Sequence, residues 1–174
     1  KCQQHAWNTT VSTVDTMRIW SHDNFGQDLL INVRDGEIGY WRKDNGTNTR
    51  AVLLNSLSGS TLAPTVAKQI MVSDIDRHVI VFGCDGETTI GTQDPLLIRF
   101  ADQESLTDWK TEATNTAGEL RVGSGSEIIM AIETRQQILV FTDVSLHSMQ
   151  FIGPPFTFGI STIAEGITVA GPLA

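Results

Sequence analysis

Arg135–Phe141, "RQQILVF", runs directly into "TDVSLHSMQF", and a variant of the same stretch stands 59 residues earlier as Asp76–Phe82, "DRHVIVF". Aligning on the aromatic that closes each strand brings out a third copy. "EIGYW" (Glu37–Trp41), "HVIVF" (His78–Phe82) and "QILVF" (Gln137–Phe141) fall in register, 41 and 59 residues apart. Each copy follows a turn ("RDG" at 34–36, "DIDR" at 74–77, "ETRQ" at 133–136) and, before it, another apolar strand: "DLLINV", "QIMVS" or "EIIMAI". Short runs rich in Val, Ile, Thr, Phe and Trp, bounded by Gly, Asn, Asp and Ser, are the pattern of strands joined by tight turns.

Each hairpin is followed by a third strand: "RAVLL" at 50–54, "LLIRF" at 96–100 and "HSMQF" at 147–151. A leading strand such as "TMRIW" at 16–20 or "ELRV" at 119–122 makes four. Four antiparallel strands recurring at roughly 40–50 residues is the period of a β-propeller blade, which hides its faces only by stacking on its neighbours. The chain is therefore predicted to be all-β, one domain over 1–174 forming part of a β-propeller. About three four-stranded antiparallel blades are placed at 14–56, 64–102 and 117–152, with the start of a fourth at 156–174. On this reading the hairpins ending at Trp41, Phe82 and Phe141 hold equivalent places in consecutive sheets. The competing architecture is a sandwich with accidentally similar strands. One stretch, Thr65–Asp76 "TVAKQIMVSDID", allows a short helix by propensity, but its β-branched residues favour a strand.

The 174 residues are 40% hydrophobic, enough to bury a sizeable core. They begin at Lys1 and stop at "TVAGPLA", which reads as a piece of a longer polypeptide. A net charge of −8 argues against an electrostatic grip on nucleic acid, which needs clustered Lys and Arg to displace counterions, while leaving room for an acidic wall past which it slides. Cys2 and Cys84 lie far apart, outside any CxxC, and are expected to be free thiols. No signal peptide opens the chain, and its apolar runs fall far short of the roughly 20 residues of a membrane helix, so a soluble protein is expected.

Catalysis needs a nucleophile beside a base, a carboxylate pair or a metal cluster. His5, His22, His78 and His147 are scattered, without HxH or HxxxH spacing, so no metal or cofactor is expected. "SHDNFG" at 21–26 approaches the Ser-x-Asp-x-Gly-x-x-Trp turn of sialidase-type propellers, but Gly26 is one position late and Asp28 stands where Trp is required. "KDNGTN" at 43–48 lacks the regular oxygen ligands of a calcium loop and reads as a turn. "NTT" at 8–10 and "NGT" at 45–47 are formal glycosylation acceptors that also read as turns. "GSGSE" at 123–127 has no Gly-Lys-Ser/Thr after it and precedes a strand, so it is a turn rather than a phosphate cradle. Trp7, Trp20, Trp41 and Trp109 are read as packing anchors. No enzyme is expected.

Three longer segments go beyond architecture: "RIWSHDNFGQDLL" at 18–30, "DPLLIRFADQESLTDWKTEATNTAGELRVGSGSEI" at 94–128 and "TRQQILVFTDVSLHSMQFIGPPFTFG" at 134–159. Together they resemble the β-propeller-containing tail nozzle and tail tubular (DNA-stabilisation) proteins of short-tailed bacteriophages. The resemblance implies a non-enzymatic virion component, made in the host bacterial cytoplasm, that assembles with itself as a ring, usually a hexamer, around the DNA exit channel. Such a ring contacts neighbouring tail and adaptor proteins, retains packaged DNA and lets double-stranded DNA pass on ejection. The alternatives are a carbohydrate-binding or carbohydrate-active propeller, and a generic scaffold for protein partners. Blade strands are consumed by stacking, which leaves loops for contacts. The first choice is Gly153–Phe158: Pro154 and Pro155 stiffen the backbone, and Phe156 and Phe158 offer apolar anchors or else pad the joint between blades.

Overall fold

In a computed structural model of the chain, residues 18–153 and 155–172 are described. They fold into three separate four-stranded antiparallel sheets. The first comprises β1 (Trp20–Phe25), β2 (Asp28–Val33), β3 (Ile38–Trp41) and β4 (Val52–Leu53). The second comprises β5 (Gln69–Val72), β6 (Val79–Phe82), β7 (Leu97–Phe100) and β8 (Gly118–Arg121), and the third β9 (Ile128–Glu133), β10 (Ile138–Thr142), β11 (Ser145–Gly153) and β12 (Thr157–Glu165). Each sheet is a meander, in which strands adjacent in the chain are adjacent in space. Thr65–Asp76 forms strand β5 and a turn, with no helix.

The sheets differ from the expected units at their outer strands. The segment 119–122, offered as a leading strand for the third unit, closes the second sheet as β8, and Thr157–Glu165 completes the third sheet instead of starting a fourth. Phe82 ends the second strand of its sheet and Phe141 is the last residue but one of the second strand of its own, whereas Trp41 ends a third strand, because β1 precedes the first hairpin. The reason is compositional. "WSHDNF" (β1) has four polar residues in a row and "GELR" (β8) has them at alternate positions, so neither gives an apolar run to align. "RAVLL" contributes only a two-residue strand before the chain turns into the 3-10 helix Leu54–Ser56.

The sheets stack face to face. Ile70, Val72, Val79 and Val81 of the second sheet pack with Leu30 and Ile38 of the first, joined by Leu54 of the 3-10 helix and Trp109 of a loop. The alternate residues Met71, Ile80, Phe82, Ile98 and Phe100 pack with Ile128, Ala131, Ile138, Val140 and Met149 of the third. A sheet covered on both faces reads as continuous apolar strands, and all four residues of "VIVF" in β6 are buried. Among the described residues the first and third sheets have one covered face each, and their burial alternates instead, as in β1 and β10.

Turn chemistry repeats along with the strands. Beyond Phe82, the buried Asp85 carboxylate accepts the Thr65 N–H (2.9 Å), the Thr65 hydroxyl (2.7 Å), the Val66 N–H (3.3 Å) and the Gly91 N–H (2.7 Å). Beyond Phe141, Asp143 accepts the Ser126 N–H (2.8 Å) and hydroxyl (2.7 Å). In both sheets a carboxylate after the second strand holds a hydroxyl residue that precedes the first, which fixes the entry of the chain into its sheet. Gly125 makes room for the second clamp: its φ is +101°, and a Cβ there would lie 2.6 Å from Asp143 Oδ1. Arg99, 1% exposed, donates to the carbonyls of Asp85, Leu62 and Trp109, tying the second sheet to its long loops.

Candidate functional site

The first strands of the three sheets lie together and are joined by side chains rather than by a ladder. Ser21 Oγ and Asp23 Oδ2 on β1 accept the N–H groups of Ile70 (3.1 Å) and Val72 (2.8 Å) on β5. Gln69 on β5 donates to the Ala131 carbonyl (2.7 Å) and accepts the Ala131 N–H (2.8 Å) on β9. An edge strand carries unpaired backbone groups that must find partners. Here a polar side chain from the preceding sheet satisfies them, so the sheets touch without merging.

Charges bracket this junction. At one end the Lys68 ammonium, 8% exposed, sits between Asp35 (3.1 Å) and Glu127 (2.7 Å), and Arg34 donates to the carbonyls of Ile129 (2.9 Å) and Ile128 (3.3 Å). The hydrogen bonds to Gln93 and Lys68 outweigh burial at Asp35 and hold its carboxyl below the usual range. At the other end Glu133 accepts the Asp74 N–H (2.9 Å). Burial first, and then the Asp74 and Asp23 carboxylates, push its carboxyl upward. Beyond β12, Ile167 donates to the Val144 carbonyl (3.1 Å), and the chain returns to place Pro172 in a cleft with Trp20, Gln69 and Ala131, beside the first strands.

The proposed contact loop divides. Pro154 lies outside the described residues. Pro155 is exposed and Phe156 is 71% exposed, but Phe158 is only 2% exposed. Phe158 packs edge-on against Phe100 (4.9 Å), His78 (5.2 Å) and Phe151 (5.6 Å), so it belongs to the core between the second and third sheets and offers no contact surface. Burial pushes the pKa of His78 down, with Asp76 and Asp102 opposing. Its Nε2 meets Thr116 Oγ1 at 3.0 Å, and Nδ1 has no partner among the described residues. Beside this loop, Phe156, Pro155 and Ile152 face Leu120 and Glu119 across a groove of about 320 Å³.

Among the described residues the candidates for chemistry do not converge. His147 Nε2 lies 2.8 Å from Ser145 Oγ and 3.2 Å from Ser124 Oγ, but Ser145 is fully buried and the other ring nitrogen faces the Thr162 hydroxyl rather than a carboxylate. This is a satisfied buried polar network. Among the described residues there is no group of three His, Cys, Asp or Glu arranged to hold a metal. Cys84 is a buried free thiol whose pKa burial pushes far up, while Cys2, His5, Trp7 and the "NTT" stretch lie outside the described residues. Trp109 is the buried anchor expected of it; Trp20 is 58% exposed. Among the described residues no helix is long and apolar enough to cross a membrane.

The linking residues Ser21, Asp23 and Gln69 escaped sequence reading because nothing marks a polar strand residue as aimed at a neighbouring sheet. Asp85 and Asp143 were within reach, since each follows within three residues of a repeat-closing Phe. No protein-family model matches the chain, and no curated protein matches it.

Proposed function

We propose that the three sheets are consecutive blades of a β-propeller and that the protein is a structural component of a short-tailed bacteriophage tail, part of a ring around the DNA exit channel. The observation that carries the blade reading is the repeated side-chain link between first strands, Ser21 and Asp23 to β5 and Gln69 to β9. In a propeller the first strands line the axis and each blade closes over the next, which is the order of contacts here. The return of residues 166–172 from the outer strand β12 to the first strands supports it, because every blade-to-blade connection must make that journey.

The tail assignment rests on the segments at 18–30, 94–128 and 134–159 that resemble the nozzle and tail tubular group. Net charge supports it in sign: at −8 the chain repels phosphate and lets DNA slide without sticking. Partner contacts fall to loops at the blade edges, with Phe156 and Ile152 the exposed apolar pair. The protein retains packaged DNA until ejection and performs no chemistry on it. Electron microscopy of the protein, alone and gold-labelled in virions, tests this. Rings on the tail axis are expected, and monomers with no position in the particle would overturn it.

A further inference from the structure

The outer edge of the first sheet sets two arginines side by side. β4 pairs with β3 through Gly39–Leu53 and Tyr40–Val52. Two residues further on, the same register brings Arg42 opposite Arg50, and the alternation of a strand turns both toward the face that carries Tyr40 and Val52. Like charges directly opposite each other across a ladder repel. Relief is thin. Arg42 meets Asp44 at 3.5 Å, an exposed pair of little strength, and Arg50 has no hydrogen bond or ion pair among the described residues. Asp28, the other carboxylate near Arg42, already accepts the Tyr40 hydroxyl and the Lys43 N–H.

That face opens on a cleft of about 410 Å³. The opposite wall is Leu57, just after the 3-10 helix Leu54–Ser56, and Leu106, in the long loop between β7 and β8. Both leucines pack on the core between the first and second sheets, and the Trp109 indole N–H donates to the Leu106 carbonyl (2.9 Å), so the wall is anchored. Two guanidiniums line the cleft, and no Asp or Glu does among the described residues. The cleft lies at β4, across three ladders from β1, and its walls are one sheet and two loops that are all described. It forms whatever stands on the outward faces of the first and third sheets.

We propose that this cleft binds a small organic carboxylate with an apolar body. The head lies between Arg42 and Arg50, whose planar forks match carboxylate oxygens in pairs, and the body lies on Tyr40, Val52, Leu57 and Leu106. The volume falls within the roughly 300–1,000 Å³ of small-molecule sites, which likewise combine an apolar lining with a few convergent polar groups. Charge decides the head: in a chain of net charge −8, two guanidiniums with no carboxylate in their cleft gain most from an anion. A nucleic-acid backbone fits less well, because it would leave the apolar wall unused and needs a longer row of cations.

Titration of the 174-residue chain with octanoate, followed by NMR of the isotope-labelled protein, tests this. Saturable shifts are expected at the amides of residues 40–42, 50–52 and 106–107. Octanamide, which has the same body without the charge, should bind at least about tenfold more weakly. Arg50→Gln should weaken octanoate by about tenfold, the loss of one charge-assisted pair. Arg50 is exposed and outside any strand, so this variant keeps the fold, which its unchanged amide spectrum away from the cleft verifies. Arg121→Gln on β8 makes the same charge change elsewhere and should leave the affinity within about twofold. Equal binding of octanoate and octanamide, full binding by Arg50→Gln, an equal loss in Arg121→Gln, or shifts spread over other faces would each overturn the proposal. So would a short acidic peptide that shifts these amides where octanoate does not, since the cleft would then belong to a protein partner.

Discussion

The second sheet and the two that flank it are built on the same meander, yet their strands read differently. In β6 every residue of "VIVF" is buried, while in β1 "WSHDNF" exposed and half-buried residues alternate. The difference follows from how many faces the described residues cover, two for the middle sheet and one for each flank. It teaches that in a stacked repeat the hydrophobic pattern of a strand reports its neighbours as much as its own sheet. The clamps follow the same gradient. Asp85 in the middle sheet is fully buried with four donors, and Asp143 in the third accepts fewer bonds nearer to solvent.

Truncation should separate middle from flank most sharply. Phe82→Ala, at a fully buried position in the second sheet, should lower unfolding stability by about 3–5 kcal/mol in urea. Leu139→Ala, on the outer face of the third sheet, should cost under about 1 kcal/mol in the isolated chain. Equal losses would mean that the outer face is as covered as the core.

Next in size is the clamp. Asp85→Ala strands the N–H groups of Thr65, Val66 and Gly91, and a loss of about 3 kcal/mol is expected from three unsatisfied donors. Asp143→Ala should cost clearly less by the same urea titration. The reverse order would break the comparison.

Acid should act on the joint between the second and third sheets. His78 and His147 both have pKa values depressed in the folded chain, chiefly by burial. A depressed value means that the unfolded chain binds the proton first, so stability is complete above the ordinary histidine value of 6.5 and falls as pH drops below it. Urea midpoints measured downward from neutral pH should decline, and His78→Gln should flatten that decline. A midpoint that rose on acidification would be inconsistent with the buried neutral ring.

The smallest effect belongs to the contact loop. Phe156→Ala should change stability by less than about 0.5 kcal/mol, as at an ordinary surface site, while Phe158→Ala should behave like Phe82→Ala. A thermal melt of each variant suffices, and a large loss at Phe156 would place it in the core with Phe158.

All-β character, the second and third strands of each hairpin and the repeat itself were legible, because alternation of apolar residues between turn signals is a local property that needs no partner. The strands carrying Phe82 and Phe141 were legible for the same reason, but aligning on the aromatic set Trp41, which ends a third strand, level with residues of second strands. The polar strands β1 and β8 were not, since "WSHDNF" and "GELR" become strands through the ladders they make with Asp28–Val33 and Leu97–Phe100. Nor could the sequence separate Phe156 from Phe158: both are apolar, two residues apart, and only the turn between β11 and β12 sends one to solvent and the other against Phe100. Ser21, Asp23 and Gln69 show the limit most clearly. Their residue types suit any solvated strand, and it is the approach of three first strands, set by the stacking of whole sheets, that turns them into the links between units.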